Sequence, residues 1–200
     1  MNIFEILPLA SFLVLIFLIS GRVIFLKRSG VKVSSASAKR NKFRLFLYLL
    51  FLPILFLWLF ELVKPAFQIS FSVLPESFTN FLAESVFLKI TGVVVVIMAF
   101  VLMTLALFHF KNSLRFGLDK KNKGKLITSG IFSVSRNPFF LSLDFYFLGI
   151  ALMIPSLFFI CFSVLSLVSI HFFILKEENF MLKMYGDEYQ KYLEKVRRYL

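Results

Sequence analysis

The sequence predicts an all-α, polytopic membrane protein: about five transmembrane helices, followed by a cytoplasmic amphipathic helix at the C-terminus. Three observations carry that prediction. The 200 residues are 59% hydrophobic, with a mean hydropathy of +0.86, well above a soluble domain of this size. The apolar residues, 29 of them Phe, fall in runs of about twenty, enough to cross a hydrocarbon core of roughly 30 Å. The charge, formally +12, is clustered in the stretches between those runs rather than spread over a surface.

The first span is expected from Ile3 to about Leu26, with Arg22 near its end and able to snorkel to the interface. Glu5 stands where a secretory signal would carry basic residues, so this segment reads as a span and not as a cleaved leader. The second span is expected over Leu45 to Val63 and the third over about Phe87 to Phe108. The fourth runs from Pro138 to Ile154, only just long enough to cross, and the fifth from Ser156 to Leu175. Segments 27–44, 109–137 and 176–200 are basic or heavily charged, whereas 64–86 and the 154–156 turn are not. The charged segments mark one side, which puts the N-terminus outside and the C-terminus in the cytoplasm, in the inner membrane if the source is bacterial. Two regions result: residues 1–109, with three helices and the basic loop 27–44, and residues 110–200, the expected catalytic region. The latter holds a cofactor loop, a helical hairpin at 138–175 and the C-terminal helix.

Basic loops beside apolar spans point to membrane lipids as partners, anionic head groups among them, and not to nucleic acid. The single Cys161 excludes an intrachain disulfide and a thiolate metal site, and it is expected to pack. His109 and His171 have no metal-ligand spacing with any Cys or acid, so no metal is expected and both should be packed or interfacial. Residues 31–37 read as a linker. Segment 64–86 alternates Phe67, Ile69, Phe71 and Val73 with polar residues, a pattern suited to the outer interface.

Two polar patches carry the chemistry. The first is the basic loop from Lys125 through Gly130 to Arg136-Asn137-Pro138; the second is Lys176-Glu177-Glu178, continuing to Gly186-Asp187-Glu188-Tyr189 and Tyr192. The short Ile154-Pro155-Ser156 connection forces spans four and five into an antiparallel hairpin, so the two patches converge at its open end. Asn137 suits a helix N-cap and Pro138 the first helical position, which aims backbone N–H groups and the helix dipole into the mouth. That start is an anion site, and Arg136 adds a charged fork. A carboxylate across the hairpin can hold an ammonium, so one pocket could grip both ends of an amino acid. Gly186 is expected to stop the fifth helix, and Tyr189, Tyr192, Leu193 and Val196 then line one face of a new one. That helix could cover the site or lie on the membrane. Asp144 lies almost two turns past Pro138; an acid inside a span either faces a wet cavity and only tunes packing, or is a functional suspect, as an amine contact or a base.

The order Leu126-Ile127, Gly130, Phe132, Arg136-Asn137-Pro138, Phe140, then Gly149, Glu177-Glu178, Gly186-Asp187-Glu188-Tyr189, Tyr192 and the terminal Arg198-Tyr199-Leu200 resembles the isoprenylcysteine carboxyl methyltransferase and phospholipid methyltransferase group. These are integral membrane enzymes that use S-adenosylmethionine, and the resemblance covers about residues 110–200. It implies a cofactor held against Lys125, Leu126, Ile127, Phe132, Asn137, Pro138, Phe139 and Phe140, with Glu177 on the other side. Arg136, Glu178 and Asp144 are then the candidates for catalysis. The acceptor would be hydrophobic or lipid-attached, methylated at the cytoplasmic face. Four residues before the first Glu, where carboxyl methyltransferases of the group carry an Arg linked to an acidic substrate, this chain has Phe173. Two other functions fit the sequence: an NADPH-dependent, sterol-type reductase of the same membrane architecture, and a non-catalytic membrane module.

Overall fold

The computed structural model describes residues 3–29, 42–110 and 126–200. Among them the chain is all-helical, with seven α-helices and no β-strand: α1 (Ile3–Arg28), α2 (Lys42–Ala66), α3 (Glu76–Thr79), α4 (Val86–His109), α5 (Pro138–Met153), α6 (Leu157–Tyr185) and α7 (Asp187–Lys195). A 3-10 turn, Gly130–Ser133, precedes α5. Three of these helices are long and apolar enough to cross a bilayer: α1, α4 and α6. α5 is apolar but has 16 residues, about 24 Å at 1.5 Å per residue.

The four long expected segments α1, α2, α4 and α5 fall within a few residues of their sequence-based bounds. The fifth expected span, Ser156 to Leu175, is the apolar part of α6, which continues as one helix through Lys176, Glu177 and Glu178 to Tyr185. Nothing in Lys176–Tyr185 breaks a helix, so the backbone hydrogen bonds run on after the apolar stretch ends. Gly186 stops it as expected, at φ +55°, with its N–H donated to the Leu182 carbonyl at 2.9 Å. Residues 30–41 of the basic loop, including the 31–37 linker, and residues 111–125, including Lys125, lie outside the described residues.

Trp58 is the packing centre. Its ring meets Phe12 of α1 at 5.3 Å, Phe147 of α5 at 5.9 Å, and Phe159 and Phe162 of α6 at 6.2 and 5.4 Å. One side chain of α2 thus touches three other helices, and edge-on aromatic pairs of this kind add to plain burial. α5 lies closest to α4. A Cβ on Gly149 would come within 2.6 Å of Val96 and 2.9 Å of the Gly92 carbonyl, and one on Gly92 within 2.7 Å of the Gly149 carbonyl. Small residues at facing positions let two backbones approach where lipid supplies no hydrophobic drive. Fully buried Tyr146 ties α5 to α1 through Ser11 Oγ at 3.5 Å.

The α5–α6 hairpin closes as expected. Ser156 caps α6 by accepting from the Phe159 N–H, and the Leu82 N–H donates to Pro155 O at 2.7 Å, pinning the 64–86 segment to the turn. That segment exposes Phe67, Phe71 and Phe78. Cys161 is exposed on α6, contrary to the expected packing role, because its side chain falls on the outward stripe with Val164, Leu165 and Val168.

Candidate active site

The site begins in the corner that feeds α5. Residues 126–128 carry no regular secondary structure, and the 3-10 turn follows. Gly130 sits at φ +65°, and any Cβ there would collide with the His109 ring, so only glycine serves. His109 is held in turn by Nδ1 at 2.8 Å from Leu105 O, which fits the packed role expected of it. Asn137 then occupies the N-cap position and Pro138 opens α5, as the sequence indicates. The Asn137 side chain does not cap, however. Its Nδ2 donates instead to Glu178 Oε1 and to the Arg198 carbonyl, both at 3.2 Å.

Glu178 is the junction of the site. It is 8% exposed. Arg198 donates to its Oε2 from Nε at 3.0 Å and Nη2 at 2.9 Å, a two-pronged fork. Arg136 Nε lies 3.1 Å from Oε1, an ion pair without a well-aligned hydrogen bond. The Glu178 hydrogen bond raises the affinity of Arg198 for its proton. The tail is stitched down further by the Arg136 N–H to Arg197 O at 3.0 Å and by Ser135 Oγ to Arg198 O at 3.4 Å. So α6, the corner and the last residues form one buried lattice.

α7 is latched to the same corner. Its amphipathic face buries Tyr189, Tyr192 and Val196 against Leu126. Burial holds the Tyr192 phenol protonated, with Arg136 opposing and Glu178 reinforcing it, and it donates to Phe132 O at 2.6 Å. Arg136 Nη1 donates to Leu193 O at 3.1 Å. These contacts pack α7 against the corner.

Glu177 differs from its neighbour. It lies on the polar end of α6, beyond the apolar stretch, and its buried Oε2 has no hydrogen-bond partner among the described residues. Burial, and then the charge of Glu178, push its carboxyl up to about 7. A buried carboxylate oxygen without a donor costs stability unless a cation or donor meets it. Asp144 is also buried, and its Oδ1 is likewise unpartnered.

The expected residues therefore divide. Asn137, Arg136 and Glu178 are brought into contact. Leu126 and Phe132 are built into the contact between the corner and α7. Phe139 and Phe140 meet edge-on at 5.6 Å, Phe139 lies near Phe110 at 6.5 Å, and Phe140 pairs with Phe173 at 5.3 Å. Pro138 is buried, and Ile127 is partly exposed beside Leu126. Asp144 stands two turns deeper. Lys125 lies outside the described residues. Sequence reasoning missed the roles of Arg198 and Tyr199; the terminal Arg-Tyr-Leu carried a resemblance but no signal of contact with Glu178. Among the described residues no group of three His, Cys or acidic side chains could hold a metal.

The corner before α5, the polar end of α6 and the helix α7 thus meet at the open end of an apolar helical hairpin. Residues 87–188 match the phospholipid methyltransferase family, and the chain belongs to it. No curated protein matches the chain. Membership makes it a membrane methyltransferase acting on lipids.

Proposed function

We propose that the protein transfers a methyl group from S-adenosylmethionine to a lipid or lipid-attached acceptor at the cytoplasmic face, across five spans with the N-terminus outside. The observation that carries the donor assignment is the buried Oε2 of Glu177, which has no hydrogen-bond partner among the described residues and follows in sequence next to Glu178, the residue bonded to Asn137 at the start of α5. The residues present fit this cofactor: an ammonium would satisfy Glu177, and its carboxylate would meet the positive end of α5, which no side chain caps. The rings of Phe139 and Phe140 supply faces suited to a sulfonium. When bound, the cofactor supplies an activated methyl group.

The chain's own residues do the rest. Glu178, Arg136, Arg198 and Asn137 hold the corner and tail in one geometry, so that Glu177 and the α5 start stay at a fixed spacing. Fixed spacing of donor and acceptor is the main source of rate in a direct displacement. α7 shields the corner from water through Tyr189 and Tyr192. Phe140 and Phe173 pair between α5 and α6 one turn inside the mouth, where a lipid tail can approach from the side. Lys125 would add positive charge to the same loop.

A titration in detergent tests this, comparing S-adenosylmethionine or its demethylated product with NADPH. We expect the first two to bind, and Glu177→Ala to weaken them by roughly 1.5–3 kcal/mol, the worth of a hydrogen bond to a charged group. Unchanged affinity in Glu177→Ala would remove the placement. Tight NADPH binding without a response to S-adenosylmethionine would replace the assignment by a reductase.

A further inference from the structure

The α5–α6 hairpin carries a second polar level below its mouth. Asn137 and Glu178 are hydrogen-bonded across it, which fixes the antiparallel register there. Asp144 follows Asn137 by seven residues, and His171 precedes Glu178 by seven. Two helical turns separate each pair, so Asp144 and His171 return to the facing sides about 10 Å deeper. Asp144 is 7% exposed, and its Oδ1 has no hydrogen-bond partner among the described residues. Tyr199 reaches this level from the tail. Its Oη lies 2.6 Å from His171 Nδ1, and the two rings stack with centroids 6.1 Å apart. Burial first, and the Asp144 carboxylate second, hold the Tyr199 phenol protonated, so Tyr199 is an electrostatic neighbour of Asp144 as well as a partner of His171.

Three elements thus deliver a carboxylate, an imidazole and a phenol to one level of an otherwise aromatic and aliphatic hairpin. Packing does not require them, and an acid with an open oxygen costs stability at this depth. Nor is the insertion of Tyr199 incidental. The residue before it, Arg198, is fixed to Glu178 through both its guanidinium fork and the Asn137 bridge to its carbonyl.

We propose that Asp144 and Tyr199 form the acceptor subsite, with Asp144 taking the proton that the acceptor sheds, Tyr199 contacting its head group, and His171 orienting Tyr199. This rests on the methyltransferase function proposed above. The balance is simple. The lone pair of the acceptor heteroatom forms the bond to the methyl carbon, the carbon–sulfur bond of S-adenosylmethionine breaks with its electrons passing to sulfur, and the acceptor proton goes to Asp144 and then to water. The subsite selects a head group bearing an N–H or O–H. A carboxylate would face Asp144 as a like charge. Asp144 is the catalytic residue here, and His171 is a positioning residue.

The test uses the full chain in detergent, labelled S-adenosylmethionine and a total lipid extract as the acceptor probe. The initial rate of label entering the lipid phase is read beside a titration of the demethylated cofactor for each variant. Asp144→Asn should lower the rate by about 100-fold or more, the usual contribution of a positioned base. Its cofactor affinity should stay within about twofold, and Asp144→Glu should restore part of the rate. Tyr199→Phe, which removes one hydroxyl, should slow transfer roughly 2- to 10-fold. If Asp144→Asn fails to fold, Tyr199→Phe decides alone. Wild-type labelling of lipid with both variants keeping more than about half the rate overturns the subsite, as does a parallel loss of cofactor affinity. A wild-type protein that labels nothing instead fails the methyltransferase function, and the subsite with it.

Discussion

Two adjacent carboxylates on one helix have opposite fates, and the difference decides what each can do. Glu178 receives donors on both oxygens from Asn137, Arg136 and Arg198. Glu177 keeps a buried oxygen without a partner among the described residues, and burial and Glu178 push its carboxyl up to about 7. A carboxyl whose folded value is raised binds a proton more readily than in the unfolded chain. Its contribution to stability is therefore full below the ordinary carboxylate range and is lost as pH rises through about 7. Ligand binding has the opposite sign, since an ammonium pairs with the ionised form. Cofactor affinity should thus fall below pH 7, by up to about tenfold per unit, and level off above it. Titrations at several pH values check this, with Glu177→Gln expected to flatten the profile. A flat profile in the wild type would show that Glu177 does not meet the ammonium.

At the scale of elements, the tail, the corner and α6 behave as one unit because Glu178 joins them. Glu178→Ala leaves Arg136 and Arg198 without their partner. The expected loss of stability is about 3 kcal/mol, at the low end for a buried pair because the Arg198 side chain is 34% exposed. Thermal unfolding in detergent measures it; an unchanged midpoint would show that the lattice does not hold the fold. This unit was only half legible in the sequence. The hairpin, the Asn137-Pro138 start, the Gly186 stop and the amphipathic face of α7 follow from apolar runs, a proline, a glycine and a 3.6-residue period. Those signals are local, and the structure agrees with them. The expected span ends near Leu175 while α6 runs on to the Gly186 stop, because a change from apolar to charged residues marks where a membrane stops, not where a helix does. The partners of Glu178 were not legible either. Arg198 is twenty residues away along the chain, and nothing local in a terminal Arg-Tyr-Leu says which carboxylate it meets. The same holds for His171 and Tyr199, whose contact spans the whole of α7.

For the whole molecule, the two questions are how it lies in the membrane and what reaches its site. The basic bias of 27–44 and 111–125 predicts that those segments lie in the cytoplasm. Cysteine labelling from each side of intact vesicles, in a background with Cys161 replaced, should modify a cysteine at Ser37 from the cytoplasmic side alone. Labelling from the opposite side alone would invert the orientation. That orientation in turn limits the acceptor. With S-adenosylmethionine, charged and water-soluble, as the proposed donor, the open end of the α5–α6 hairpin would face the cytosol. A membrane-dissolved acceptor must then come sideways, between helices, in the cytoplasmic leaflet. The exposed aromatic faces there suit a lipid tail: Phe172 is 66% exposed, and Phe173 is 46% exposed while packing on Phe140. Phe173 also stands where an arginine would anchor an acidic head group, which favours a neutral or amine-bearing acceptor over a prenylcysteine carboxylate. Incubation with labelled cofactor and total lipid extract, followed by phase separation, should place the label in lipid. Label confined to water-soluble small molecules would refute a lipid acceptor. Label in a base-labile methyl ester of a prenylated cysteine would refute the head-group preference alone, because Phe173 would then tolerate the carboxylate that an arginine was expected to hold.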